Sequence, residues 1–587
     1  MSLEVVGIVG VLVVVAVTAL APRLGVAAPL LLVGLGLTLG VLPFVEDVTV
    51  SPEWILAVLL PPLLYSAAVN TPTMDFRRDF RLISGFSVVL VATSAVVIGL
   101  VATLLIPGLP LGYGIALGAI VSPTDAVATS IVRQAGVTPR VVTVLEGESM
   151  LNDASALVLL RSAVAAAGVS VSLWQVAGQF LWAVGAAVAI GYAVGRLNLA
   201  VRSRISQVPG NVALSLVVPF LAHLPAEHLG ASGLVAVVTA GLVTGHGAHR
   251  SLTAEDRLAE RAVWRTIELL LESAVFLLVG LEAPALAEDL VAQGGSLPVA
   301  VLVAVVAGGI ALAIRAGFVA WSVWSLARRA RHFPALRERL TTMQDRLDDG
   351  QEPLPAAEAG RGTRRTARRL ALKARGASTT PQERIGRWQR MVGQRLADLD
   401  YLAAQQFGWR DGVILVWAGM RGAVTVAAAQ TLPAQAPHRS LLVLVAAVVA
   451  VGSLLVQGIS LGALATRLGL TGQAGGDDPE LWAALQAELG RAALARLAGE
   501  PDAYPPEFVE RVRRSLGRAA GDDDFAPAGP AARERLARLR ALRLDLIAVQ
   551  REELLALRDI GNYPSGMLDA ALSQLDAEQL GLELRRT

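Results

Sequence analysis

The chain has 587 residues, 54% hydrophobic and only 17% charged, with 51 basic and 49 acidic side chains. That leaves too little polar surface to wrap a soluble body of this length, so a water-soluble globular protein is excluded. The lack of cysteine removes disulfides, thiolate metal sites and cysteine nucleophiles, and the six histidines form no ligand-spaced cluster.

Apolar blocks of roughly 17–25 residues recur along the chain, the length that crosses about 30 Å of hydrocarbon as a helix. They predict about thirteen spans, at 4–21, 27–44, 53–69, 83–106, 112–132, 141–165, 173–195, 209–223, 231–246, 263–283, 297–325, 411–432 and 440–466. The first lacks a basic leader and a small-residue cleavage site, so it reads as a retained span and not a signal peptide. The eighth and ninth are short and interrupted by polar residues. Basic side chains gather on alternate connections: Arg23, then Arg77, Arg78 and Arg81, then Arg133 and Arg140. Arg196, Arg202 and Arg204 follow, then Arg250, Arg257, Arg261 and Arg265, while Glu46, Asp47, Glu53, Glu227, Glu288 and Asp289 mark the connections between them. The positive-inside rule then puts the N-terminus outside and the C-terminus in the cytoplasm of a multi-pass protein of the cell (inner) membrane.

This divides the chain into spans one to eleven over 1–325, an insertion at 326–409, spans twelve and thirteen over 410–467, and a tail at 468–587. The arginine-rich run at 361–375 either touches anionic lipid headgroups or is a solvated linker, and the linker reading is favoured. In the tail, ALQAELGRAALARLAG and ARERLARLRALRLDLIAVQREELLALRDIG space their apolar residues by three and four. Such helices pack on each other or on a second copy of the chain. Between them GDDDFAPAGPAA reads as a hinge or loop.

Charges inside spans are costly and mark function. The fifth span contains SPTDAVA, where Pro123 lacks a backbone donor and disfavours helix at Ser122. A break there frees carbonyls that lipid cannot satisfy, beside the hydroxyl of Thr124 and the carboxylate of Asp125. Oxygen ligands of these kinds suit hard cations; the bland alternative is that Asp125 only caps the second half-helix. In the sixth span Glu148 and Asn152, and Ser149 and Asp153, lie four residues apart, so each pair shares a helix face. A carboxylate tuned by loss of water can exchange a proton for a cation at ordinary pH; a polar network that merely glues helices is the alternative. Arg421 in the twelfth span needs a carboxylate partner, and Glu148 is the predicted one. Glu268 and Glu272 share a face of the tenth span, where they either line a pathway or pair with Arg315.

At these residues the chain resembles the monovalent cation:proton antiporter family, which includes bacterial NhaP proteins and eukaryotic sodium–proton exchangers. The resemblance covers about 5–470 outside the insertion. It rests on LLPPLLY (59–65), SPTDAVA (122–128), EGESMLNDA (146–154), FLLVGLE (276–282) and GMRGAV (419–424), five motifs in order on the expected spans. RDIGNYPSGMLDAALSQLDAEQL near the end is similar to tails of bacterial members. The resemblance implies an all-α polytopic fold with inverted repeats, crossed discontinuous helices and a helical cytoplasmic tail. It also implies a homodimer. On matching positions it implies Asp153 as the shared proton and cation carboxylate. Asp125 becomes the acid of the unwound helix, Thr124 and Ser149 become ligands, and Asn152 is the residue paired with Asp153. Glu148 and Arg421 become a structural ion pair. Asn152, in place of a second aspartate, implies electroneutral exchange of one Na⁺, K⁺ or Li⁺ per proton. The chain departs from many NhaP-type members at Ser66, where they carry an acid, which leaves the choice between sodium and potassium open. Glu272 stands where bacterial relatives often have Asn and is an accessory candidate with Ser66.

Secondary antiport by alternating access, with Asp153 and Asp125 holding a cation or a proton in competition, is therefore the expected activity. No enzymatic role, cofactor or nucleic-acid partner is expected, and no GxxxxGK[ST] loop is present. An intramembrane aspartyl protease would need a Gly-rich motif beside one acid, whereas Ala126 and Ala154 follow Asp125 and Asp153. A channel would build its filter by symmetry around a pore, which one long chain with a paired acid site does not suggest.

Overall fold

In lipid a backbone must satisfy its own polar groups, and a chain of Leu-, Val-, Ala- and Gly-rich blocks does so as helix. The computed structural model describes residues 3–24, 26–42, 54–168, 173–349, 381–472, 478–499 and 530–584, and among these there is no strand. The arginine run at 361–375 and most of the tail loop at 521–532 lie outside the described residues.

Helices occupy the predicted stretches in order: α1 (Leu3–Leu24), α2 (Ala28–Gly40), α3 (Leu60–Asn70, entered through a π turn at Ile55–Leu59) and α4 (Thr73–Leu105). Two short helices follow, α5 (Leu111–Val121) and α6 (Val127–Gln134), and then α7 (Pro139–Gly168), α8 (Leu173–Arg202), α9 (Val208–His228) and α10 (Gly233–Ser251). Next are α11 (Ala254–Ala292) and α12 (Leu297–Ala330). Beyond the insertion a second short pair, α15 (Trp409–Trp417) and α16 (Ala423–Gln430), precedes α17 (Arg439–Arg467). Seven of these helices are long and apolar enough to cross a membrane, and four shorter apolar helices accompany them. The eighth and ninth stretches are longer than their apolar cores predicted. α9 runs through Pro219 and Pro225, and α10 continues past Gly247 to Ser251.

The chain forms two compact units, one of Met1–Trp324 with Phe407–Ala474 and the other of Ser325–Gln406 with Gly475–Thr587. In the first, helices approach closely where small residues permit it. A Cβ on Gly36 of α2 would stand 2.5 Å from the Leu277 carbonyl oxygen and 2.9 Å from Gly280 Cα of α11. Close approach of that kind is how helices associate where no hydrophobic driving force separates them from lipid. Large apolar side chains stay exposed on α1 (Ile8, Leu12), α8 (Leu181, Trp182) and α12 (Leu302, Val305), the pattern of surfaces solvated by lipid.

The second unit joins parts of the insertion and of the tail. Leu340 and Leu347 of α13 (Phe333–Asp348) pack against Val392 and Leu399 of α14 (Pro381–Ala404). Ala493 and Leu497 of α18 (Pro479–Gly499) pack against Leu542 and Leu546 of α19 (Pro530–Ile560). α19 then turns back into α20 (Ser565–Leu584), held by Arg551–Asp576 and Arg558–Asp569 at 2.9 Å each. Gln394 of α14 donates to the Asp559 carbonyl at 2.8 Å.

Candidate functional site

The two pairs of short helices are two interrupted helices, and their breaks meet. Pro123 cannot donate to α5, which stops at Val121; α6 resumes at Val127, where the Asp125 carboxylate accepts the Val127 N–H at 3.1 Å. Asp125 does therefore cap the second half-helix. The other break, 418–422, contains no proline and carries Gly419, Met420, Arg421 and Gly422. Each break supplies what the other lacks. The Asp125 N–H donates to the Met420 carbonyl at 2.8 Å, and Arg421 Nε donates to the Val121 carbonyl at 2.9 Å. Arg421 also donates through Nη1 to its own neighbour, the Gly419 carbonyl. The guanidinium thus satisfies carbonyls at the C-terminal ends of both first halves, where the backbone dipole favours positive charge. Ser453 of α17 holds the second break from behind, accepting the Arg421 N–H at 2.9 Å.

The Asp125 carboxylate lies directly against Gly422, so a Cβ there would coincide with its Oδ2. Gly422 has φ −123° and ψ −157°, extended backbone that any residue adopts, so only space keeps the position glycine. Gly422→Ala is expected to displace Asp125 or open the crossing, at about 1–3 kcal/mol, lowering both the melting temperature and transport. Unchanged melting and transport would mean that the two breaks do not approach as described.

α7 passes alongside the crossing and presents Glu148, Ser149, Asn152 and Asp153, all buried. Thr124 Oγ1 donates to Glu148 Oε1 at 3.1 Å and accepts from Asn152 Nδ2 at 2.8 Å. Asn152, 1% exposed, keeps its Oδ1 without a hydrogen-bond partner, so a buried oxygen acceptor is left open at the site. Asp153 is 6% exposed and forms no ion pair among the described residues. Its charged neighbour is Asp125, close enough for the two carboxylates to act on each other electrostatically. Thr124, Asp125, Asn152 and Asp153 are thus brought together, with Ser149 on the same helix.

One predicted pairing is corrected. Glu148 pairs with Arg315 of α12, not with Arg421: Arg315 Nη2 donates to Glu148 Oε2 at 2.8 Å and Nη1 to Oε1, with both side chains 1% exposed. Arg315 Nε donates to the Leu415 carbonyl at 2.7 Å, so the same guanidinium fastens α15. The physical reason is that Arg421 is consumed by backbone carbonyls that the break leaves open. It also removes Arg315 as a partner for Glu268 or Glu272. Ser66 donates instead to Glu268 Oε2 at 2.9 Å, and Glu272 lies within electrostatic reach of Asp125 and Glu268.

Other buried polar groups carried no sequence signal strong enough to single them out. Arg140 forms a two-point pair with Asp79 at 2.9 and 2.6 Å beneath the Phe407 ring, and Arg202 one with Glu260 at 3.0 and 2.8 Å. Arg140 and Arg202 had read only as loop charges.

Known proteins resemble this chain over much of its length. The family model for the sodium/hydrogen exchanger transmembrane region matches residues 10–341 and 391–467. An uncharacterized Na⁺/H⁺ exchanger of Mycobacterium bovis is 29% identical over 97% of this chain and 94% of its own length. A Na⁺/H⁺ antiporter of Halobacillus dabanensis is 32% identical over 49% of this chain and 75% of its own, and a sodium, potassium, lithium and rubidium/H⁺ antiporter of Bacillus pumilus is 29% identical over 44% and 40%. Among solved structures, the sodium proton antiporter of Methanocaldococcus jannaschii superimposes with a TM-score of 0.51 at 16% identity, over 78% of this chain and 97% of that one. That likeness shows a shared fold.

Proposed function

Given that the chain belongs to the sodium/hydrogen exchanger family, a family of membrane transporters, we propose that it exchanges one Na⁺, K⁺ or Li⁺ for one proton at Asp125 and Asp153. The observation that carries this reading is the meeting of these two carboxylates where both interrupted helices cross, beside the open Asn152 Oδ1. Carboxylate, amide and hydroxyl oxygens are the ligands a hard alkali ion accepts in place of water. One-for-one exchange rests on the resemblance at Asn152, which stands in place of a second aspartate. Glu148 is neutralised by Arg315, so Asp125 and Asp153 are the facing carboxylates at which a cation or a proton is held. Both cannot be held at once, because protonation removes the charge and takes up a lone pair that would bind the ion.

In transporters with discontinuous helices, rigid-body rocking of one helix bundle against the other exposes a mid-membrane site to each side in turn. Alternating access then moves the site between the two sides, and the steeper gradient sets the direction of flux. The same reading includes thirteen crossings, an outside N-terminus, a cytoplasmic C-terminus and a homodimer in the cell membrane.

The direct test is purified protein in liposomes holding a pH-sensitive dye, with an imposed proton gradient. Adding Na⁺, K⁺ or Li⁺ outside should drive saturable proton movement, at a rate unchanged when valinomycin and potassium set the membrane potential. Proton movement that ignores all three cations would overturn exchange. A rate that follows the potential would overturn the one-for-one ratio.

A further inference from the structure

α11 carries acids that the exchange reaction as proposed leaves unused. Glu260, Trp264, Glu268 and Glu272 recur every four residues and so occupy one face of the helix. The first two are locked. Glu260 is held at two points by Arg202 of α8, and both are buried. The Trp264 ring packs on Tyr65 of α3 at 5.3 Å between centroids, and its Nε1 donates to Ser215 of α9 at 3.2 Å. These contacts fix the rotation of α11 and so determine where its next two turns point.

The next two positions differ in kind. Glu268 receives the hydroxyl of Ser66, itself 1% exposed, and Glu272 lies within electrostatic reach of both Glu268 and Asp125. Neither forms an ion pair among the described residues, since Arg315 is engaged by Glu148. A purely architectural acid in a membrane protein is normally paired, as Glu260 and Glu148 are here, because an uncompensated carboxylate in that setting is costly. Two half-buried carboxylates without a cation, ending at a site that holds an open buried oxygen in Asn152 Oδ1, are what a travelling cation would complete.

We propose that Glu268, oriented by Ser66, and Glu272 are staging residues through which the monovalent cation passes between the Glu260 end of α11 and Asp125. This deepens the exchange reading and rests on it. The staging residues raise the local cation concentration and shed part of the hydration shell, while Asp125 and Asp153 retain the competition with the proton. Their influence therefore falls on the apparent KM for the cation more than on the maximal rate.

The experiment compares sodium-driven proton movement in liposomes for wild type, Glu268→Gln, Glu272→Gln and Ser66→Ala, with thermal unfolding of each purified protein. Both glutamine variants are expected to raise KM for sodium about tenfold, the scale of focusing by local charge, with a smaller change in maximal rate. Ser66→Ala keeps both charges and loses only the aim of one, so its rise in KM is smaller than either. Should one glutamine variant fail to fold, the other and Ser66→Ala carry the comparison. Wild-type KM in the folded variants, or a loss confined to melting temperature and maximal rate, would overturn the staging role and leave exchange standing. A wild type without cation-dependent proton movement would overturn both.

Discussion

Asp153→Asn is expected to abolish cation-driven proton movement, by at least about a hundredfold, while the protein remains folded and melts no lower than wild type. Transport falls because asparagine neither binds a proton nor carries the charge that replaces water around an alkali ion. Stability is retained for a separate reason. Asp153 is 6% exposed, forms no ion pair among the described residues and faces the like charge of Asp125. An isosteric neutral group there removes a buried, uncompensated charge, which relieves the fold. Loss of function without loss of stability separates this residue from the architectural acids around it. Transport and melting are to be measured on the same preparation. Coupled transport above a tenth of wild type would remove Asp153 from the centre of the mechanism.

How much of this was legible in the sequence depended on whether the cause was local. The break at 122–126 could be read because its cause is Pro123, a single residue without an N–H. The break at 418–422 had no such mark and read as part of one span, 411–432. Its cause is tertiary: a helix gives up its own hydrogen bonds at Met420 and Gly419 because Asp125 N–H and the Arg421 guanidinium replace them. The four-residue spacings of α7 placed Glu148 with Asn152 and Ser149 with Asp153 because helix periodicity alone fixes a face. They could not say which face meets α5 and α6.

Partners of charges were the least legible feature. Glu148 had two buried arginines to choose from, Arg315 at 167 residues and Arg421 at 273 residues further along the chain, and periodicity is silent on distances between elements. The choice falls to Arg315 because Arg421 is already occupied by carbonyls, a demand that exists only once both helices are broken. Ser66 shows the same limit. Its hydroxyl in place of an acid was visible, but the carboxylate that meets it comes from Glu268, 202 residues later. Likewise the helical spacing of the tail was plain. That Gln394 of the insertion reaches the Asp559 carbonyl of the tail depends on packing that no spacing encodes.

Breaking the Glu148–Arg315 pair from either side is expected to be the most damaging change to the fold. Glu148→Ala leaves a guanidinium that is 1% exposed without its counter-charge and deprives Thr124 Oγ1 of its acceptor. Arg315→Ala leaves the carboxylate uncompensated and frees the Leu415 carbonyl that Arg315 Nε holds. Loss of one partner of a buried pair costs about 3–5 kcal/mol, enough that little folded protein should survive extraction and size-exclusion chromatography. Arg421→Ala should also destabilise, because it exposes the Val121 and Gly419 carbonyls, but through a different circuit. A double-mutant cycle separates the two. Replacing both charges, as in Glu148→Gln with Arg315→Met, removes the penalty of an orphaned ion, so the double variant should be markedly more stable than the sum of its singles predicts. Glu148→Gln with Arg421→Met should show much less recovery, since Glu148 reaches Arg421 only electrostatically and makes its ion pair with Arg315. If recovery appeared with Arg421 and not with Arg315, the charge that balances Glu148 would have been assigned to the wrong helix.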